Sequence, residues 1–135
     1  MEQQMFCFQC EQTARGTGCT GCAGVCGKSA EAAALQDKLT GALIGLARTC
    51  KTATATAHTY RIVLEGLFTT ITNVDFDVVT IQAMLDKVHA ETAALGGSAA
   101  SDYDVKQIWD ANEDIRSLKS LILFGMRGMA AYAYH

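Results

Sequence analysis

The stretch GVCGKSAEAAALQDKLTGALIGLAR (24–48) contains the change in composition that decides the fold. Residues 24–28 are the end of a segment, 1–28, that is rich in Cys, Gly and Thr and has no helical or strand period. After Ser29, a good helix cap, alanine, leucine and other helix formers take over. Four leucines recur there at helical spacing: Leu35, Leu39, Leu43 and Leu46. The pattern predicts a helix from Ala30 to Thr49 with one apolar face.

Three more helical segments follow, joined by short turns. We expect a second helix over 52–72, a turn and helix cap at 73–75 and a third helix ending near Leu95, before two glycines. The rest, from about Tyr103, has a helical period, with a break possible near Asn112. No segment alternates as a half-buried strand does. The sequence predicts an all-α antiparallel bundle of about four helices, preceded by an irregular Cys-rich region, in one domain spanning 1–135.

Each later helix is expected to turn an apolar stripe inward. The stripes are Tyr60, Leu64, Leu67 and Ile71; then Val78, Ile81, Leu85 and Val88; then Ile108, Ile115, Leu118, Ile122, Gly125 and Met129. Glycines inside helices cost about 1 kcal/mol against alanine, so two pairs, Gly41/Gly45 and Gly125/Gly128, predict close helix packing or close approach to the Cys-rich loop. The apolar end of the chain predicts a covering partner, either a second copy or a companion subunit.

Composition excludes several classes of function. Half of the 135 residues are hydrophobic and the net charge is −3, which is typical of a globular domain. The 11 basic residues form no stripe, so no nucleic-acid partner is expected. No run of 18 apolar residues predicts a membrane span. The N-terminus lacks the apolar core of a signal peptide, so we expect a cytoplasmic protein with reduced thiols.

Five cysteines fall within the first 26 residues. Their spacing is Cys7-x2-Cys10-x8-Cys19-x2-Cys22-x3-Cys26. Two thiolates in a C-x-x-C pair can converge on one metal or on neighbouring irons, and the glycines between them (Gly16, Gly18, Gly21 and Gly24) let the backbone wrap closely. Zinc would take the two C-x-x-C pairs in a tetrahedral site. An iron–sulfur cluster would take four of the five thiolates, and disulfides are disfavoured in the expected compartment.

Three runs of the sequence resemble the N-terminal part of the hybrid cluster proteins, also called prismane proteins or hydroxylamine reductases. The runs are FCFQCEQTARGTGC (6–19), GVCGKSAEAAALQDKLTGALIGLAR (24–48) and NEDIRSLKSLILFGMRGMAAYAYH (112–135). That family is related to the nickel carbon monoxide dehydrogenases. The resemblance covers nearly the whole chain and is weakest over 50–100. It favours an iron–sulfur cluster over zinc.

The resemblance implies one conventional cluster held by four N-terminal thiolates. The matching positions are Cys7, Cys10, Cys19 and Cys26. The short spacing between the second and third of these resembles the [4Fe–4S] class, and [2Fe–2S] or zinc remains the alternative. Cys22 is extra and is a possible alternative ligand.

The resemblance does not extend to the family's second, hybrid cluster. Its ligands lie in later domains of longer proteins and have no counterpart in this sequence. No catalysis is therefore expected from this chain alone, and no catalytic residue is proposed. The first functional hypothesis is electron transfer with a redox partner protein. The alternatives are a fragment or subunit of a hydroxylamine or nitric-oxide reductase, and a zinc-stapled interaction module.

The remaining candidate ligands are expected to have structural roles. Cys50 lies at a predicted helix end and is expected to be a small buried hydrophobe. His58 and His89 are isolated on helices. Glu65 and Glu91 show no evident partner, so no carboxylate pair is proposed.

Overall fold

The computed structural model describes residues 4–10, 17–72 and 74–135. The described part contains five α-helices: α1 (Ala30–Thr49), α2 (Ala57–Thr69), α3 (Val78–Ala94), α4 (Lys106–Trp109) and α5 (Glu113–Tyr134). In these ranges there is no strand, and the predicted helical bundle behind a Cys-rich region is confirmed. No described helix is long and apolar enough to cross a bilayer. Gly16 and Asn73 lie outside the described residues.

Helix α1 has the predicted bounds and forms the centre of the bundle. The Ser29 hydroxyl accepts the N–H of Ala32 at 3.1 Å and caps its first turn. The predicted leucine stripe is buried and packs against α2 and α3. Leu39 and Leu46 are fully buried in this core, which also contains Ile81. The strongest apolar period in the sequence therefore supplies the surface on which the other helices pack.

Helix α2 begins five residues later than predicted, because Thr56 and Thr59 form a reciprocal capping box. The preceding threonines remain outside the helix, where their low helix propensity carries no penalty. The expectation that Tyr60 faces inward is wrong, since its side chain is 67% exposed. Ile62 and Leu67 are buried instead. Similarly, α3 is capped by Asp77 rather than within 73–75, while its predicted apolar stripe packs into the core.

Helix α5 is turned so that most of its predicted stripe points outward. Leu118 and Ile122 are 58% and 61% exposed. The buried residues of α5 are instead Ser120, Arg127 and Ala130. The physical reason is that Arg127 donates hydrogen bonds to two buried hydroxyls inside the bundle. The face of α5 that carries Arg127 must therefore turn inward. The partner expected to cover the exposed stripe stays a prediction.

The two glycine pairs have different environments. A Cβ at Gly41 would collide with the carbonyl oxygen of Tyr103, and one at Gly45 would lie 2.8 Å from an Asp102 carboxylate oxygen. At Gly125 and Gly128 no described atom lies within 4 Å of such a Cβ. The pair in α1 is therefore closely packed, but against the 102–103 segment rather than against another helix or the Cys-rich loop, and the close packing predicted for the pair in α5 is wrong.

We expect Leu39→Ala to lower the free energy of unfolding by about 2–5 kcal/mol, because it empties part of the core. The matched change Leu118→Ala, on the exposed stripe, should alter it by less than about 0.5 kcal/mol. Urea unfolding followed by circular dichroism measures both. Equal losses would contradict the outward orientation of the α5 stripe.

A second pair of substitutions tests the glycines. Gly41→Ala should destabilise the chain by about 1–3 kcal/mol, because the new methyl overlaps a backbone oxygen. Gly125→Ala, in an open helical position, should stabilise it by about 0.5–1 kcal/mol. Thermal unfolding at one pH compares the two, and stabilisation by Gly41→Ala would show that the segment around Tyr103 is not packed on α1.

Candidate metal centre

Backbone pairing brings the first and third cysteines together. The N–H of Cys7 donates to the Cys19 carbonyl oxygen at 3.0 Å, and the N–H of Cys19 donates back at 2.7 Å. Gly18 makes this approach possible. Its φ is 64°, and a Cβ there would lie 2.7 Å from the Cys7 carbonyl oxygen. Two thiols separated by eleven residues are thus fixed on neighbouring backbones.

A tight turn presents the last N-terminal cysteine. Ala23 and Ser29 form an isolated antiparallel bridge, and the N–H of Gly24 donates to the Lys28 carbonyl oxygen at 2.8 Å. Gly27 sits in the left-handed region, with φ of 87°, and its N–H donates to the Gly24 carbonyl oxygen at 2.9 Å. Cys26 lies within this turn and is exposed. The start of α1 immediately follows, so the turn is anchored to the bundle.

Four of the five N-terminal cysteines line one cavity. The cysteines at its wall are Cys7, Cys10, Cys19 and Cys26. The cavity is small, about 20 Å³, and Gly24, Val25 and Thr72 also line it. Cys22 is exposed and does not belong to this lining. The structure thus brings together the set that the sequence resemblance implies.

Within 4–10, 17–72 and 74–135, no three Cys, His, Asp or Glu side chains lie close enough to hold one metal ion. No disulfide joins any of the six cysteines, all of which are described. Cys50 is partly buried against the bundle core, as expected for a small hydrophobe.

A buried lysine connects the cavity to the bundle. Lys28 is 1% exposed and lines the cavity. Its Nζ donates to the side-chain oxygens of Gln36 at 2.5 Å and Gln9 at 3.4 Å, and it lies 3.9 Å from Cys7 Sγ. Gln36 in turn donates to the Asp75 carbonyl oxygen at 2.7 Å. These bonds fix the ammonium beside a candidate ligand.

The amide of Gln9 extends the network to Asp37, donating to its carboxylate at 3.3 Å. Burial raises the pKa of Asp37 to about 6, although the Gln9 hydrogen bond and the charges of Arg127 and Lys28 oppose the shift. Burial also raises the pKa of the Cys7 thiol, opposed by the charge of Lys28. The region is therefore poorly solvated, and its charges interact strongly.

Helix α5 contributes a second buried cation. Arg127 donates through Nε to Thr70 Oγ1 and through Nη2 to Thr40 Oγ1, both at 3.0 Å. Burial lowers the pKa of this guanidinium, while Asp37 and Cys7 oppose the shift. Its donors thus meet neutral hydroxyls, and it joins α1, α2 and α5 near the cysteine region.

Sequence reasoning missed the polar residues of this network. Gln36 and Asp37 fit the solvated face of α1, and Arg127 fits that of α5, because apolar periodicity assigns polar residues outward. The only local signal is Lys28, which stands between the last N-terminal cysteine and the helix cap. Nothing in its spacing predicts that it is buried.

Elsewhere, two histidines form pairs that the sequence did not indicate. His89 Nε2 lies 2.8 Å from Asp102 Oδ2, and His58 Nε2 lies 3.6 Å from Glu91 Oε2. Glu91 also accepts the Thr59 hydroxyl at 2.5 Å, so the expectation that it lacks a partner is wrong. Both pairs connect structural elements, which agrees with the structural roles expected of these histidines.

Comparison with known proteins agrees with this arrangement. A family model described as the Prismane/CO dehydrogenase family matches residues 5–135. The match includes every cysteine of the cavity wall and all five helices.

Similar curated proteins carry one common name. Proteins named hydroxylamine reductase from Desulfitobacterium hafniense strain Y51 and Methanocella arvoryzae are 37% and 38% identical over 97% of this chain. One from Bacteroides fragilis strain YCH46 is 36% identical over the same share. The aligned part is 29%, 30% and 28% of these relatives. The chain thus spans under a third of the length of the curated relatives it matches.

The buried carboxyl predicts a pH dependence of stability. The pKa of Asp37 rises from 3.8 to about 6 on folding, so the folded state holds the proton more tightly. The contribution of the Asp37 proton to the free energy of unfolding is fully present below about pH 4. This contribution, up to about 3 kcal/mol, is lost as pH rises through about 6. Asp37→Asn should therefore gain stability relative to wild type between pH 4 and pH 7.5.

Urea unfolding at several pH values, under reducing and metal-free conditions, measures this difference. The exposed change Asp110→Asn is the control and should show no such divergence from wild type. A pH-independent difference between Asp37→Asn and wild type would contradict the burial of a titrating carboxyl.

Proposed function

Because the chain belongs to the Prismane/CO dehydrogenase family and places four N-terminal cysteines around one cavity, we propose that it binds one iron–sulfur cluster there and acts in electron transfer. The proposed ligands are Cys7, Cys10, Cys19 and Cys26. The proposed cluster is a [4Fe–4S] cubane. The shared cavity is the observation that carries the proposal, since it unites side chains from three separate backbone segments.

The arrangement of the thiols supports a cluster over zinc. A tetrahedral zinc site needs four ligands around one point, with sulfurs about 2.3 Å from the metal. A cubane instead has separate iron corners, each taking one thiolate, so its ligands stand around a volume. The four cysteines here line one cavity wall, and the described residues include no group of three such side chains placed to hold a single ion.

The chain's own residues would hold, shield and tune such a group. A bound cluster would supply one-electron exchange with a partner. Met5, the Cys7–Cys19 backbone pair and Thr72 enclose the inner side of the cavity, while Val25 and Cys26 are exposed at its edge. Four cysteine ligands leave no iron corner open for substrate, which favours electron exchange over catalysis at this site.

A second candidate function follows from the relatives. Their name supports a role for this chain as the N-terminal part of a hydroxylamine-reducing protein, with the remainder supplied by further residues of a longer chain or by a companion chain. Hydroxylamine reduction by the purified chain alone, in proportion to its iron content, would favour a catalytic role and contradict pure electron transfer. Activity that appears only on adding such a companion would support the second candidate.

Metal analysis tests the proposed cluster. We expect anaerobically purified protein to contain about four irons and four sulfides per chain, with brown absorption that dithionite bleaches. Cys7→Ser and Cys19→Ser should abolish the cluster, because they remove facing ligands on paired backbones. Cys50→Ser, away from the cavity, is the matched control and should retain iron.

Each other outcome has a definite meaning. Zinc without sulfide would overturn the electron-transfer function and would instead support the alternative of an interaction module stabilised by zinc. About two irons and two sulfides would replace the cubane with the smaller cluster. Full iron content in both Cys7→Ser and Cys19→Ser would overturn the ligand set. Loss of iron in Cys22→Ser alone would assign that thiol as a ligand.

A further inference from the structure

We propose that Lys28 is a positioning residue that holds the Cys7 sulfur and offsets part of the negative charge of the proposed cluster, thereby raising its reduction potential. The inference rests on the proposed function and adds a named determinant of its redox behaviour. Lys28 is not one of the proposed ligands, and it is a buried residue of the same cavity wall.

The position of the ammonium carries the first step. Lys28 Nζ lies 3.9 Å from Cys7 Sγ and lines the same cavity as the four thiols. A charge-assisted N–H···S contact is stronger when the sulfur is a thiolate, as an iron ligand must be. The side chain is 1% exposed, so water does not screen this interaction.

The immediate partners of Lys28 are polar but uncharged. Its two other acceptors are the amide oxygens of Gln36 and Gln9. In the described part, no carboxylate lies within ion-pair distance of Lys28, and the charge of Asp37 acts on it only at longer range. A buried ammonium without a counter-ion is costly. The charged form of a thiolate-bound cluster would supply the missing negative charge.

The wider surroundings also carry an excess of buried positive charge. Arg127, 6% exposed, donates to hydroxyls rather than to a carboxylate. Among the described residues, Asp37 is the acidic side chain linked to Lys28 by hydrogen bonds, through Gln9, and its charge also interacts with that of Lys28 and of Arg127. Two buried cations thus share this carboxyl in the described part of the chain, and an anionic group in the cysteine cavity would balance the remaining positive charge.

Geometry assigns the holding role to the lysine rather than to the amides. Gln36 is held by its bond to the Asp75 carbonyl oxygen, and Gln9 is held by Asp37 and by Thr72, whose hydroxyl donates to its backbone carbonyl oxygen. Both amides thereby fix Nζ beside Cys7 Sγ. Adding an electron to a cluster near a fixed positive charge is favoured, so loss of that charge makes reduction harder.

The test compares Lys28→Met with Lys38→Met in the iron-loaded protein. Methionine keeps the length and apolar stem and removes the charge, while Lys38 is an exposed lysine of α1. Iron and sulfide content is measured first. The midpoint potential is then measured by a visible spectroelectrochemical titration, and stability by urea unfolding of the metal-free forms.

We expect Lys28→Met to shift the midpoint potential to more negative values and Lys38→Met to leave it unchanged. The metal-free Lys28→Met chain should be at least as stable as wild type, because a buried charge without a counter-ion has gone. An unchanged potential in iron-loaded Lys28→Met overturns the inference but leaves the proposed function intact. A wild-type chain without iron and sulfide overturns both.

Failure of Lys28→Met to retain iron also decides the question. If its metal-free form is as stable as wild type, the lysine is needed for the charged cluster and the inference is supported. If its metal-free form is markedly less stable, Lys28 is a structural residue of the bundle and the inference is overturned.

Discussion

The reciprocal backbone pairing of Cys7 and Cys19 is the constraint on which the N-terminal region depends. Two hydrogen bonds between these residues hold the segments together, and Gly18 is what permits the approach. With that pair fixed, the first C-x-x-C segment lies against the turn that leads into α1. The positions of the proposed ligands are therefore set mainly by backbone geometry, and these hydrogen bonds do not engage the thiols that would bind the proposed cluster.

Polar groups and an aromatic cluster together join the cysteine region to the bundle. Lys28, Gln9 and Gln36 form the polar part of this junction, and Phe6 and Phe8 pack against Trp109 in its apolar part. Arg127 with two threonine hydroxyls joins α5 to α1 and α2 within the bundle. Buried hydrogen bonds are directional, so they fix one relative placement of the parts, whereas apolar contacts tolerate sliding. The orientation of α5 is one result, since its inward face carries an arginine while its leucines remain exposed.

Much of the fold could be predicted from local pattern. The cap at Ser29 and the leucine repeat predicted the bounds of α1, because cap and period agree there. The start of α2 was missed because a run of threonines has no breaker, and the capping box at Thr56 decides the boundary. The prediction of which face of α5 is buried was wrong, because periodicity identifies an apolar stripe without showing whether other helices cover it. At the site, the four cavity cysteines were implied by resemblance, while the buried polar network had no periodic signal.

The four thiols differ in their contact with the surroundings. Cys7, Cys10 and Cys19 are partly buried, whereas Cys26 lies on an exposed glycine-flanked turn. Thiolate oxidation follows exposure, so dissolved oxidants would reach this sulfur first. A cluster bound here would then lose one corner while the other three ligands still held it. Such a path of damage would be stepwise, and it would begin at the same exposed turn through which the proposed redox partner would approach.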